Sequence, residues 1–121
     1  MSSFVISVLN KLKYKYQKLT KGYSDEELWN LDYTLAGIIY KYLDAFIKMK
    51  RNGYPVNLKE GETYNDFDEE SKSKEWEDKL IKMRDAFYLI KEDKQYEKDK
   101  NIELIDEGLR LFSENFLSLW D

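Results

Sequence analysis

A run of oxygen-bearing side chains between positions 65 and 70 is the densest cluster of groups that could bind a metal ion. The run reads Asn65-Asp66-Phe67-Asp68-Glu69-Glu70, and closely spaced carboxylates can hold calcium or magnesium. The EF-hand pattern fails, because its glycine and its spaced terminal glutamate are missing. We therefore expect no metal ion and no cofactor. Two alternatives stay open, a solvated loop extended by charge repulsion and a mimic of nucleic-acid phosphates that binds a partner through Asp66, Asp68, Glu69 and Glu70.

Histidine and cysteine are both absent from the chain. Without them there is no Ser-His-Asp or Cys-His nucleophile, no structural zinc site and no imidazole to move protons near neutral pH. No glycine-rich phosphate loop, Rossmann fingerprint or HExxH motif is present. The chain is predicted not to be an enzyme, although carboxylate, lysine and tyrosine chemistry is not excluded.

The first 22 residues carry five lysines and no acid, whereas nine acids and two lysines lie between positions 60 and 78. Lysines interleaved with tyrosines can bind phosphates and stack on bases. The same residues also suit the solvated face of a helix or a contact with a protein partner. The candidate partner-binding residues in this segment are Lys11, Lys13, Lys15 and Lys18.

The spacing of apolar residues predicts four helices that must position these groups. The first has its apolar face at Val5, Val8, Leu9, Leu12, Tyr16 and Leu19 and stops at Gly22. The second begins with a capping box, in which Ser24 is the N-cap and Glu27 reaches back to its amide, and it continues to Asn52-Gly53.

The third predicted helix starts near Ser71 or Ser73, with an apolar face at Trp76, Leu80, Met83, Phe87 and Ile90. The charged stretch Lys91–Lys100 fits either a helical extension or a loop. The fourth helix has a coiled-coil type of seam, formed by Ile102, Ile105, Leu109, Phe112, Phe116 and Leu119.

These elements predict an all-α fold, a small antiparallel three- to four-helix bundle in one domain over residues 1–121. Residues 1–22 form a basic amphipathic helix that either docks on the bundle or projects as an arm. Residues 56–71 form a long acidic loop between the second and third helices. No apolar run approaches the roughly 20 residues that span a bilayer. We expect a cytoplasmic protein with no membrane partner.

Asp32 is unusual on the second helix, because its spacing from Leu28, Leu35 and Ile39 points it toward the apolar face. A buried carboxylate has to be paired or hydrogen-bonded. We therefore expect Asp32 to be a structural residue with a polar partner rather than a catalytic acid.

Several short motifs occur in a fixed order along the chain, namely Leu19-Thr20-Lys21-Gly22-Tyr23-Ser24-Asp25, Leu28-Trp29-Asn30-Leu31-Asp32, Gly53-Tyr54-Pro55, Trp76, Met83, Ala86-Phe87, Glu107-Gly108-Leu109 and Leu119-Trp120-Asp121. This set resembles a family of small helical proteins of unassigned function that tailed bacteriophages encode. The resemblance covers nearly the whole chain and implies a phage origin and a host cytoplasm. It also implies one packed constellation of Trp29, Asp32, Tyr54 and Trp120.

The first functional hypothesis is a non-enzymatic binding protein that acts in an infected bacterium and inhibits a host or defence protein, as an anti-CRISPR does. The second is a nucleic-acid-associated protein that uses the lysines of the first helix, although the acidic remainder of the chain opposes the approach of DNA. The third is a sponge or enzyme for a small ligand such as a nucleotide. The seam of the fourth helix also leaves room for a homodimer.

Overall fold

The computed structural model describes residues 2–51, 53–55 and 69–120, and within them five α-helices and no strand. Helix α4 is central, because α3 packs on one side of it and α5 on another. The predicted all-α bundle is confirmed. The helices are α1 (Ser3–Lys21), α2 (Asp25–Trp29), α3 (Leu31–Lys48), α4 (Glu69–Lys91) and α5 (Asp99–Asn115), followed by a 3-10 turn over Phe116–Ser118.

The core lies along α4. Its residues Trp76, Leu80, Met83 and Phe87 recur at steps of four, three and four and are all buried, as the spacing predicts. Leu80 and Met83 have no exposed surface. They pack in one cluster with three buried residues of the neighbouring helices, Ala36 and Leu43 of α3 and Leu111 of α5.

The second predicted helix is two helices, divided at Asn30. The capping box at its start is confirmed, since the Ser24 amide donates to Glu27 Oε1 at 2.9 Å and the Glu27 amide donates to Ser24 Oγ at 3.2 Å. Asn30 leaves the helical region, with φ −123° and ψ 51°. The Thr34 hydroxyl donates to the Glu27 carbonyl at 2.9 Å across this break. An uninterrupted helix from Ser24 was therefore a wrong prediction.

The boundaries of α4 also differ from the prediction. Because α4 begins at Glu69, the end of the predicted loop 56–71 is helical, and Glu69 and Glu70 occupy the first turn, where acids suit the helix dipole. The charged stretch after Lys91 is a turn region rather than a helical extension. The Asn101 side chain closes this turn by donating to the Lys94 carbonyl at 2.8 Å.

Helix α5 buries only part of the predicted seam. Ile105 is buried, and Phe112 and Leu119 pack against the core, but Ile102, Leu109 and Phe116 are exposed. Gly108 lets α5 approach α4 closely at Ala86, and this contact rotates the seam partly away from the core. The buried positions of α5 are Asn101, Ile105, Gly108, Leu111 and Asn115.

Candidate functional site

Helix α1, which we name the arm, stands apart from the bundle. None of its residues is buried, and α2 is the only described helix it packs against. The exposed fraction of its large aliphatic residues ranges from 39% at Val8 to 80% at Leu19. We define the arm stripe as the six residues Val5, Val8, Leu9, Leu12, Tyr16 and Leu19.

Polar contacts attach the arm to α2. The Gln17 side-chain amide donates to Asp25 Oδ2 at 2.9 Å, and its oxygen accepts from the Asp25 amide at 2.9 Å. Lys18 Nζ lies 2.9 Å from Glu27 Oε2. The rings of Tyr14 and Trp29 meet edge to face at 5.8 Å. Together these contacts fix the orientation of the arm.

The arm stripe faces away from these contacts. At about 100° per residue, Tyr14, Gln17 and Lys18 lie on the side of the helix opposite Leu12. Lys11 and Lys15 lie along one edge of the arm stripe. The attachment to α2 therefore presents the apolar residues to the surroundings rather than to the bundle.

Two of the lysines are already paired within the chain. Lys18 bridges to Glu27, and Lys13 lies 3.9 Å from Asp25. Within residues 2–51, 53–55 and 69–120, Lys11 and Lys15 form no ion pair. Of the three lysines of the arm that are not paired with Asp25 or Glu27, Lys11 and Lys15 lie along one edge of the arm stripe and Lys21 lies on the opposite face.

An open apolar groove lies between α3 and α5, which both pack on α4 but not on each other. Its volume is about 290 Å³. We name it the groove, and the residues that line it include Ile38, Ile39, Tyr42, Phe46, Phe112 and Leu119. The groove was not predicted from the sequence, although the apolar positions of α3 cover more of the circumference of that helix than α4 can bury.

The other predicted site residues do not come together. Asp32 is exposed, so its predicted burial is wrong, because it lies in the first turn of α3 at the end of the bundle. Trp29 and Trp120 are 68% and 75% exposed, and Tyr54 packs against the core instead. The four therefore do not form the packed constellation. Glu69 and Glu70 are exposed on α4, and Asp66 and Asp68 lie outside the described residues.

Comparison of the chain with protein-family models, with curated proteins and with solved structures gives no significant match. Within the described residues, no group of three or more acids is placed to hold a metal ion. No described helix has the length and apolarity needed to cross a membrane.

Ion pairs also join the helices of the bundle, with Lys82 and Glu107 between α4 and α5 and two further clusters between the α3 region and α4. Arg51 pairs with Glu77 and donates to the Phe46 carbonyl at 2.6 Å. Arg84 lies 3.2 Å from Asp44. Lys48 donates to that same carboxylate and, with Arg84, holds the pKa of Asp44 below its ordinary value. These groups are engaged in ion pairs and hydrogen bonds within the fold.

The arm should loosen from α2 in acid. The hydrogen bond from Lys18 and that from the Ser24 amide hold the pKa of Glu27 below its ordinary value. Because the pKa of Glu27 is lowered in the folded protein, its contribution to stability is complete above the ordinary glutamate pKa of about 4.3. That contribution is lost as the pH falls through the lowered pKa of Glu27. We expect the indole NMR signal of Trp29, which packs on Tyr14, to shift below about pH 4.

Glu27→Gln is the matched control, because it removes the titrating group and keeps the size of the side chain. In this variant the indole signal of Trp29 should no longer show the pH-dependent shift that the titration of Glu27 causes in the unchanged protein. A titration that is the same in both proteins would mean that another carboxyl group controls the attachment of the arm.

Proposed function

We propose that the chain is a non-enzymatic binding protein that docks the arm on a protein partner. The observation that carries this proposal is the exposure of the whole arm stripe on the side opposite the contacts with α2. An amphipathic helix of this kind is the ligand in helix-in-groove recognition, where apolar residues on successive turns enter a groove. The attachment to α2 lowers the entropic cost of docking, because the helix is already oriented.

The chemistry of the arm defines the surface that fits it. The first 22 residues contain no acid, and Lys11 and Lys15 border one edge of the arm stripe. Full burial of Leu9, Leu12 and Leu19 would contribute roughly 5–9 kcal/mol before the costs of association. An exposed ion pair contributes only about 0–1 kcal/mol. The partner is therefore a protein with an apolar groove and an acidic rim, in which the apolar contacts supply the affinity.

A protein partner suits these observations better than a nucleic acid does. Lys18 is paired with Glu27, and the net charge of the chain is −4. Among the described residues only Lys11, Lys15 and Lys21 of the arm form no ion pair. Three lysines give few phosphate contacts, and phosphate contacts dominate the affinity of nucleic-acid binding. An apolar stripe has no counterpart on a phosphate backbone.

The resemblance to the bacteriophage family supports a finer proposal about the setting. Under this proposal, the chain acts in the cytoplasm of an infected bacterium. The partner is a host or defence protein that loses activity when the arm occupies an apolar groove on the partner's surface. This inhibition by occupation needs no catalytic residue in the chain.

A single charge placed in the arm stripe should abolish binding. Leu12→Lys puts an ammonium group where the partner is apolar, and Ser7→Lys adds the same charge to the same helix on the opposite face. We expect nuclease-treated bacterial lysate to yield a protein that the unchanged chain and Ser7→Lys capture equally. Leu12→Lys should capture it at least about tenfold less, since burial of one leucine is worth that factor or more.

Two results would contradict the proposal. One is a set of captured proteins that is the same for all three baits. The other is capture that disappears with nuclease and with Lys13→Glu plus Lys15→Glu, which would make the arm a nucleic-acid-binding helix.

A further inference from the structure

The bundle has the form of a four-helix bundle with one position empty. Helices α3 and α5 flank α4, and the side between them is the groove. The outer face of α3 continues the groove with apolar residues at steps of four, three and four. In left-handed bundles, side chains at this spacing pack against another helix. These residues are all substantially exposed, namely Leu31, Leu35, Ile38 and Tyr42.

The arm has the dimensions and the spacing of the missing helix. Its 19 residues extend about 28 Å, and the 18 residues of α3 extend about 27 Å. Its stripe contains the same alternation of four and three, through Val5, Leu9, Leu12, Tyr16 and Leu19. The groove and the arm stripe are therefore complementary in pattern and in length.

Charge also favours this pairing. The arm carries lysines and no acids, while α5 carries five acids, of which Glu107 and Glu114 are already paired with Lys82 and Arg110. Asp106 lies one helical turn before Leu109. Both residues are exposed, on the side of α5 that does not pack against α4. A basic helix laid in the groove brings its lysines toward Asp106.

The arm of the same chain does not occupy its own groove in this structure, because α2 holds it with the arm stripe turned outward. We infer that the groove receives the arm of a second copy, so that two chains form a reciprocal dimer. One helix about 28 Å long and about 10 Å wide covers roughly 560 Å² when both surfaces are counted. Two such contacts cover roughly 1,100 Å², which reaches the area of about 1,000 Å² that a specific interface needs, whereas one does not.

The dimer goes beyond the proposed function and does not depend on it. Since each arm stripe is covered in the dimer, a protein partner of the arm would have to compete with the second copy. The dimer would then be a resting form that releases the arm on binding. Failure of the dimer would leave the arm free for a partner, so the two proposals are tested separately.

Sedimentation equilibrium measures the association directly. We expect the apparent mass to rise above the 14.6 kDa of one chain as the concentration increases. Ile38→Lys places a charge in the groove and should weaken association at least tenfold. Ser71→Lys adds the same charge to the exposed start of α4 and should leave association unchanged.

Crosslinking identifies which arm fills the groove. The chain contains no cysteine, so a double variant with Leu12→Cys and Tyr42→Cys reacts with a short bis-maleimide only at these two positions. We expect covalent dimers, and far fewer from a variant with Ser7→Cys and Tyr42→Cys.

Three outcomes would overturn the inference. The first is a linked monomer, which would show that the arm folds back into its own groove. The second is a mass of one chain at every concentration up to about 200 µM. The third is a dimer whose association Ile38→Lys does not weaken.

Discussion

Replacing Gly108 with alanine is expected to destabilise the protein by about 2 kcal/mol, because overpacking so tight a contact costs up to about 3 kcal/mol and the better helix propensity of alanine offsets only about 1 kcal/mol of it. A Cβ atom at this position would lie 2.7 Å from the carbonyl oxygen of Lys82 and closer still to Cβ of Ala86. One of these neighbours is backbone, which cannot move aside without separating α5 from α4. The measurement is urea unfolding followed by helical circular dichroism.

Gly37→Ala is the matched control, since Gly37 also lies inside a helix but has no neighbour within 4 Å of an added Cβ. Alanine is the better helix former by about 0.8–1.0 kcal/mol, so this variant should be more stable than the unchanged protein. The same substitution thus has opposite signs at the two glycines. Destabilisation at both positions, or at neither, would contradict the close approach of α4 and α5 at Gly108.

The parts of the fold that the sequence predicts are those encoded by local chemistry. The capping box at Ser24 and Glu27 needs only residues three apart, and it is present in the structure. The buried face of α4 follows from periodicity, because Trp76, Leu80 and Met83 define one narrow apolar face. Local signals of this kind do not depend on which other helices pack nearby.

The predictions that failed depend on tertiary contacts. Apolar residues of α5 occupy more than one face, and the close approach of Gly108 to Ala86 determines which face is buried. A glycine without neighbours looks the same in the sequence, as Gly37 shows. The spacing likewise does not reveal the break at Asn30, which the hydrogen bond from the Thr34 hydroxyl to the Glu27 carbonyl spans.

The candidate site was harder to predict than the fold. The sequence identifies Leu12 and its neighbours as one apolar face, and such a face normally packs within the bundle. Only the contacts of Gln17 and Lys18 with α2 show that it points outward. The groove was missed for the same reason, since it exists because α3 and α5 both contact α4 and not each other.

A pair of leucine-to-alanine substitutions separates the residues that fold the chain from those of the arm stripe. Leu80 has no exposed surface and lies in the middle of α4, so Leu80→Ala should cost about 2–5 kcal/mol of unfolding free energy. Leu12 is 59% exposed, so Leu12→Ala should change the unfolding free energy by no more than about 0.5 kcal/mol. Both residues are helical, which cancels the difference in helix propensity between leucine and alanine.

Both variants should be compared by urea unfolding in the Ile38→Lys background, where the groove is closed to the arm of a second copy. A loss of 2 kcal/mol or more from Leu12→Ala would mean that the arm stripe packs within its own chain, and the helix would then be part of the core. A negligible loss means that folding does not require a leucine at this position. Burial within the fold would then not explain why the residues of the arm stripe are apolar. Their apolar surface would be available to bind another chain.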